Sequence, residues 1–577
     1  MKRWGFLGLL VLAACAPEEA PDTSSQYQVC PGVIAGVESI STSTQALNSS
    51  EPRQSDDGRQ RYLVRYREAA QSNPQTVTSV GGQVRTVLRR TPALSARLSA
   101  EERALLEQHP EVVAIEPDLP LHALSLPRPP TLALLHAPVQ SGSTGEYTPG
   151  LRLVQAPQVW DRDQDGTLDV GAPTGEGVRV CVIDSGIDPD QSELKQAYLD
   201  GWDFVEQDET PWDQYGDMWG EGHGTHVAGT IAAQLASGGA NVSPNHDRNG
   251  VVGVSPGAQL LIARVLDTDG VAWMSDVIAA LEWCSGRGAH IASMSLGGAS
   301  DHPLQREAFA AAAERMLIIA AAGNSGEPMA YPAAYPGVLA VGAVNMEAQR
   351  AAFSSYGENL ALMAPGVDVL STIIHGQGTI SQVSLGEERH ESRAVYLAPA
   401  GTHSGKLVDC GEASTLGSCP QATCDGFVAY VERSERVPLQ VQIANAMKQG
   451  ARAVIFGDLP RQSALVELSI GRRGHWVPSA LVSHSSAVAM RKVPGTPVDV
   501  QLHASDYAAF SGTSMATPHV TGVAALLWSA RPSLTPAQVR QLLVSTARDL
   551  GPEGWDPEHG HGLVQATAAL QALEAMP

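Results

Sequence analysis

Phe510-Ser511-Gly512-Thr513-Ser514-Met515-Ala516-Thr517-Pro518-His519-Val520 lies near the C-terminal end of the 577-residue chain. Its Gly-Thr-Ser turn presents one hydroxyl at the mouth of an apolar helix, Val520 to Leu527. A serine hydroxyl is a poor nucleophile until a base takes its proton. The chain carries such a base: Gly222-His223-Gly224-Thr225-His226-Val227 puts a histidine at a glycine-flanked helix entrance. Upstream, Val178-Arg179-Val180-Cys181-Val182-Ile183-Asp184-Ser185-Gly186 is an apolar run of strand character that ends on an aspartate. A fourth run, Ile318-Ile319-Ala320-Ala321-Ala322-Gly323-Asn324, ends on a carboxamide. Four apolar segments each border one reactive side chain. Open α/β sheets assemble sites this way, at the carboxyl ends of their strands.

The order Asp184, His223, Asn324, Ser514 resembles the subtilisin-like serine proteases (subtilases, peptidase S8). The resemblance runs from about Tyr147 to Ile374 and from Tyr507 to Leu573, and includes Ser295-Leu296-Gly297-Gly298, Tyr335-Pro336-Gly337-Val338 and Ala364-Pro365-Gly366. It implies an α/β fold, a three-layer α/β/α stack on a mostly parallel sheet. It implies that Ser514 is the nucleophile, His223 the general base and then acid, and Asp184 the carboxylate that orients the ring. Asn324 and the backbone N–H of Ser514 would bind the oxyanion. In the family pattern the first histidine of His-Gly-Thr-His is the catalytic one, so His226 and also His519 are expected to be structural. Asp188, four residues after Asp184, is expected to be a surface or ion-binding carboxylate.

Ser295, Leu296, Gly297 and Ala321, Ala322, Gly323 resemble the strands that line the family's cleft, where an extended peptide adds by main-chain bonds. Small residues there predict a roomy pocket and large apolar side chains before the cut. Asp161-Arg162-Asp163-Gln164-Asp165-Gly166-Thr167-Leu168-Asp169 follows the start of an EF-hand loop, with Ala172 where its last glutamate would stand. A structural Ca²⁺ on Asp161, Asp163, Asp165 and Asp169 is expected, against a plain solvated acidic turn. Glu193 and Asn249 fall where many subtilases bind calcium, by resemblance alone.

A net charge of −23 repels phosphates and argues against a nucleic-acid partner. A composition of 43% hydrophobic and 17% charged residues marks folded material. Lys2 and Arg3, then an apolar core from Trp4 to Ala14, read as an export signal too short to span a bilayer. Leu12-Ala13-Ala14-Cys15 resembles a lipobox, which makes Cys15 a lipidation site and the protein a membrane-anchored or extracellular one. The alternative is an ordinary signal peptide with an incidental cysteine. Of seven cysteines, Cys181 and Cys284 are expected as buried thiols, and one pair among Cys410, Cys419 and Cys424 as a disulfide.

Residues 16–60 read as a flexible tether. Residues 61–125 hold a strand at Arg61–Tyr66, an S-x-x-E cap at Ser99 to Glu102 ahead of a helix at Arg103–Gln108, and a strand from Val112 to Asp118. The layout resembles the small α+β inhibitory propeptide of subtilases. Seven arginines between Arg61 and Arg97, against Glu68 alone, suit docking on an acidic protease; the alternative is an ordinary attached domain. Residues 126–146, with Pro127, Pro129 and Pro130, are a linker, and self-cleavage is expected between Leu121 and Glu146. The catalytic domain spans 147–375 and 507–577. Between these parts, 376–506 resembles a β-rich protease-associated (PA) insert, used for access control or docking, or else a passive surface insertion.

The expected activity is a self-processing serine endopeptidase acting on proteins. A catalytically silent relative and an esterase are the other readings; the latter lacks the Gly-x-Ser-x-Gly elbow.

Overall fold

The computed structural model describes residue 30 and residues 57–69, 72–124, 146–214, 222–235, 250–420, 424–434, 436–458, 468–470 and 474–576. Cys15 and Asn249 lie outside these residues. No helix among the described residues is long and apolar enough to cross a membrane.

A seven-stranded sheet carries the body of the chain. Its order is Leu360–Pro365, Val338–Val344, Leu317–Ala321, Ile291–Met294, Arg179–Asp184, Gln259–Arg264 and Tyr198–Asp203, and every neighbouring pair is parallel. Strand side chains alternate between faces. Val180, Val182, Leu260, Ile262 and Ile319 therefore enter one core, with Val227 and Ile231 of helix His223–Ala232 and Val520 and Leu527 of helix Thr513–Ala530. Cys181, Ile183, Leu261, Ala263 and Ile318 enter a second core on the other face, with Val277 and Leu281 of helix Met274–Gly286 and Phe309 of helix Pro303–Ala313. Two cores on one sheet are the expected three layers, and strands buried on both faces explain the continuous apolar runs.

The second core corrects the expectation for Cys181 and Cys284, which form a disulfide rather than two thiols. Cys181 points from the sheet onto the helix that carries Cys284, with a Cα–Cα separation of 5.9 Å, inside the range a disulfide spans. Pairing across 103 residues has no local signal in the sequence. Cys410 pairs with Cys419, while Cys424 pairs with Cys30, so the segment read as a tether is pinned at one point.

Residues 60–117 form a four-stranded antiparallel sheet in the order Gln83–Val87, Ala93–Leu98, Gln60–Tyr66, Val112–Pro117. Its second helix is Ala100–Leu106, and Ser99 and Glu102 close the capping box there. The helix starts three residues before the expected Arg103 because a cap binds the N–H groups of the first turn, so the turn Ala100 to Glu102 is already helical. The arginines hold this unit against the body. Arg61 bridges Asp118 and Asp276, each at 3.0 Å, and Arg85 bonds the carbonyls of Phe204 and Val205. Glu282 accepts the backbone N–H groups of Arg89, Arg90 and Thr91.

Between Val369–Thr372 and Tyr507–Phe510, which pair antiparallel, the chain leaves the body. It forms an eight-stranded mixed sheet from Gly378–Leu385 to Pro497–Ser505, with helices Leu439–Lys448 and His484–Arg491.

Candidate active site

Asp184 is the last residue of its strand, and His223 the first residue of its helix. Two motif glycines let them meet. A Cβ on Gly224 would lie 2.3 Å from the Gly186 carbonyl oxygen, so the aspartate loop and the histidine helix pack backbone to backbone. Gly222, just before the helix, has φ 66°. His223 Nδ1 sits 2.7 Å from Asp184 Oδ1, and the Ser185 N–H donates to the same oxygen at 2.8 Å. Both side chains are buried. Burial pulls the His223 pKa down; the Asp184 charge and hydrogen bond, with the Asp213 charge, outweigh that and leave it above its ordinary value. With Nδ1 committed to the carboxylate, Nε2 is left as the acceptor, and it has no protein hydrogen-bond partner.

Ser514 is the second residue of helix Thr513–Ala530. Pro518, four residues on, lacks the N–H that would bond the Ser514 carbonyl. The Ser295 hydroxyl bonds that carbonyl instead, at 2.9 Å. Ser514 Oγ is hydrogen-bonded to the Leu124 carbonyl at 2.7 Å and to the Ser295 carbonyl at 3.1 Å. The Asn324 Nδ2 group donates to the same Leu124 carbonyl. Asn324 Oδ1 accepts the N–H and hydroxyl of Thr513 at 2.8 and 2.9 Å, which fixes the amide with its NH₂ toward Leu124.

The chain's own residues 120–124 fill the cleft. Pro120–Ala123 is the middle strand of a three-stranded antiparallel sheet, between Leu296–Gly297 and Val271–Trp273. The Leu124 N–H donates to the Ser295 carbonyl at 3.2 Å, and the Ala123 N–H to Gly270 at 2.9 Å. Ser295, Leu296 and Gly297 thus hold an extended peptide. Ala321, Ala322 and Gly323 do not pair with it: Ala321 and Ala322 are fully buried, and the Gly323 N–H bonds the Thr513 hydroxyl at 3.2 Å. Leu121 is buried in the second core, and Leu124 lies over Gly297, where a Cβ would come within 3.1 Å of it.

His226 and His519 face away from this chemistry. His226 Nε2 bonds the carbonyls of Val369 and Ala508, and burial lowers its pKa to about 3. His519 bonds the Met515 carbonyl, with its pKa lowered by burial to about 4. Of the two roles expected for Asp188, surface or ion-binding carboxylate, the surface one does not hold. Asp188 is buried and accepts the N–H of His375 at 2.7 Å and of Asp190 at 3.0 Å, because the chain after strand Val369–Thr372 packs against its loop.

Leu124, the Val271–Trp273 edge and Asp213 carry no motif that singles them out, and Thr513, although inside the serine motif, carries no expected role of its own. Asp213 stands beside the dyad, close enough for its charge to act on His223. It accepts the Thr225 N–H and hydroxyl at 3.0 and 2.7 Å. Burial pushes its carboxyl up to about 6, although the Thr225 bonds oppose the shift. A carboxylate raised from its ordinary 3.8 favours folding while protonated. Stability is therefore lost as pH rises from about 4 through 6, by about 3 kcal/mol. Asp213→Asn is expected to flatten the fall of melting temperature across that window. An unaltered slope would show that Asp213 does not titrate there.

Asp161, Asp163 and Asp165 bring carboxylate oxygens within 4.8 Å of one another, a grouping that can hold a metal ion. Asp169 turns instead to Arg162, 3.3 Å away. Glu193 is outside the group. It is buried, bonds the Tyr507 hydroxyl at 2.8 Å and the Val251 N–H at 3.0 Å, and burial drives its pKa well up.

A model described as the Subtilase family matches residues 175–397 and 492–562, half of the chain, and leaves 398–491 unmatched. An intracellular serine protease of Paenibacillus polymyxa is 36% identical over 254 residues, 43% of this chain and 71% of that protein. Subtilisin amylosacchariticus of Bacillus subtilis subsp. amylosacchariticus is 27% identical over 89% of this chain and 90% of its own length. The crystal structure of the psychrophilic subtilisin-like protease Apa1 from Pseudoalteromonas sp. AS-11 superposes with a TM-score of 0.52 and 28% identity, over 74% of this chain and 97% of that one. The chain belongs to the subtilase family. It is a subtilisin-like serine endopeptidase, and its substrates are proteins.

Proposed function

We propose that this protein is an exported endopeptidase made as a precursor that cuts itself once, between Leu124 and Ser125. The observation that carries this reading is the Leu124 carbonyl oxygen, bonded by both Ser514 Oγ and Asn324 Nδ2. Ser514 Oγ attacks the Leu124 carbonyl carbon, and His223 Nε2 takes the hydroxyl proton. Asp184 stabilises the imidazolium without taking that proton. Charge develops on the Leu124 oxygen, to which Asn324 Nδ2 already donates, and the family resemblance makes the Ser514 N–H the second donor. His223 then returns the proton to the Ser125 nitrogen, and water hydrolyses the acyl-enzyme to leave Leu124 as a carboxylate. Residues 60–124 stay behind as the first inhibitor.

Leu121 and Leu124 sit where a substrate's side chains would, which supports a preference for leucine-like residues before the cut. N-terminal sequencing of the catalytic chain, separated under reduction, is expected to begin at Ser125, or further along if trimming follows. Leu124→Asp should slow processing by about 100-fold, since it puts a charge on an apolar, partly buried position. Processing of that variant at the unchanged rate and bond would overturn the assignment.

The readings of Cys15 as a lipid anchor and of Asp161, Asp163 and Asp165 as a Ca²⁺ site belong to the same proposal. An ion there would join the turn 161–165 to the body through Asp161, which is buried and bonded to Tyr147. Chelation is expected to lower the melting temperature of wild-type protein but not of Asp163→Ala/Asp165→Ala. Equal shifts in both would reject this site.

A further inference from the structure

The first cut cannot by itself release what it cuts off. Cys30 lies upstream of the N-terminal unit, yet it is bonded to Cys424 in the inserted sheet domain. The position is built rather than incidental: Cys30 is 4% exposed, and its N–H donates to the Lys448 carbonyl at 3.1 Å. Hydrolysis between Leu124 and Ser125 adds one water and separates the backbone into residues up to 124 and residues from 125. The disulfide still joins them.

We propose that the mature enzyme is a two-chain protein in which the Cys30–Cys424 disulfide retains the N-terminal unit as a tethered inhibitor. This rests on the self-processing reading above. Retention changes the arithmetic of inhibition. A free inhibitor leaves on dilution, whereas one held by a covalent link of a few tens of residues faces its cleft at an effective concentration on the order of millimolar. The contacts that seat it are already in place: Arg61 on Asp276, Glu282 on the Arg89–Thr91 backbone, and the strand Pro120–Ala123 in the cleft. Relief then needs either a second cut between Cys30 and the first strand at Gln60, or two-electron reduction of the disulfide by a thiol. The same bond would hold the catalytic chain to any lipid carried on Cys15, because Cys15 and Cys30 share the N-terminal fragment.

The test uses full-length protein, matured and run on gels with and without dithiothreitol. We expect one disulfide-linked species without reductant, and two chains with it. Cys30→Ser/Cys424→Ser should lose its N-terminal chain on gel filtration. On 1,000-fold dilution the variant should gain about tenfold or more in peptide hydrolysis, while wild type gains little. Two chains that separate without reductant, or a variant that behaves as wild type does on dilution, overturn the proposal. A single chain even under reduction overturns the self-processing reading instead. In that case Ser514→Ala protein with a site-specific protease sequence placed in 130–140 is cut in trans. Fragments that stay together until reduced uphold the tether, and fragments that part without reductant reject it.

Discussion

Ser514→Ala is expected to accumulate as precursor, uncut between Leu124 and Ser125, and to lose peptide hydrolysis by roughly six orders of magnitude, the size of this change in subtilisin. The substitution removes one oxygen and little else. The Ser514 carbonyl keeps its bond from Ser295, the helix still begins at Thr513, and Leu124 keeps its donor from Asn324. The variant should therefore fold with residues 120–124 in the cleft. Two readouts separate chemistry from folding: mass spectrometry of the purified chain, and turnover of a short peptide anilide by Ser514→Ala/Cys30→Ser/Cys424→Ser protein after its N-terminal unit is cut in trans and removed. A Ser514→Ala chain that still cuts itself in pure form, at any concentration, would remove Ser514 from the mechanism.

Asn324→Ala should lower kcat by about 10² to 10³, or about 3–4 kcal/mol of transition-state stabilisation, with KM nearly unchanged. That range is the one known for the corresponding donor in subtilisin rather than a value obtained from this chain. Its application here rests on geometry. Asn324 Nδ2 already donates to the carbonyl oxygen next to the serine, and Thr513 fixes the amide's orientation through two bonds to Oδ1. A preorganised donor needs no reorganisation when charge develops, so its loss falls on kcat. Steady-state kinetics on a peptide anilide gives the split. A loss confined to KM would mean that Asn324 only binds substrate.

Much of the site was legible because the signals are local. Asp184 and His223 follow from a strand ending at a glycine turn and a helix entered between glycines, and the coordinates explain both Gly186 and Gly224 by the close approach of the two backbones. Ser514 and Asn324 were legible in the same way. The expectation of a surface position for Asp188 failed because the sequence does not say that the chain leading to His375 packs against it. The helix Ala100–Leu106 was placed late because the capping residues were counted outside the helix they begin.

The sequence by itself determined the order of the reactive groups and the apolar runs that border them, since each is written in a few adjacent residues. The family resemblance they carry implied the mostly parallel sheet and the small α+β N-terminal unit. Only tertiary structure decided which bond lies at the serine, which cysteines pair, and that Asp213 stands beside the dyad. Those facts join residues up to 394 positions apart, as at Cys30 and Cys424. Such pairings are fixed by where sheets and helices pack, and packing leaves no mark in the neighbouring letters.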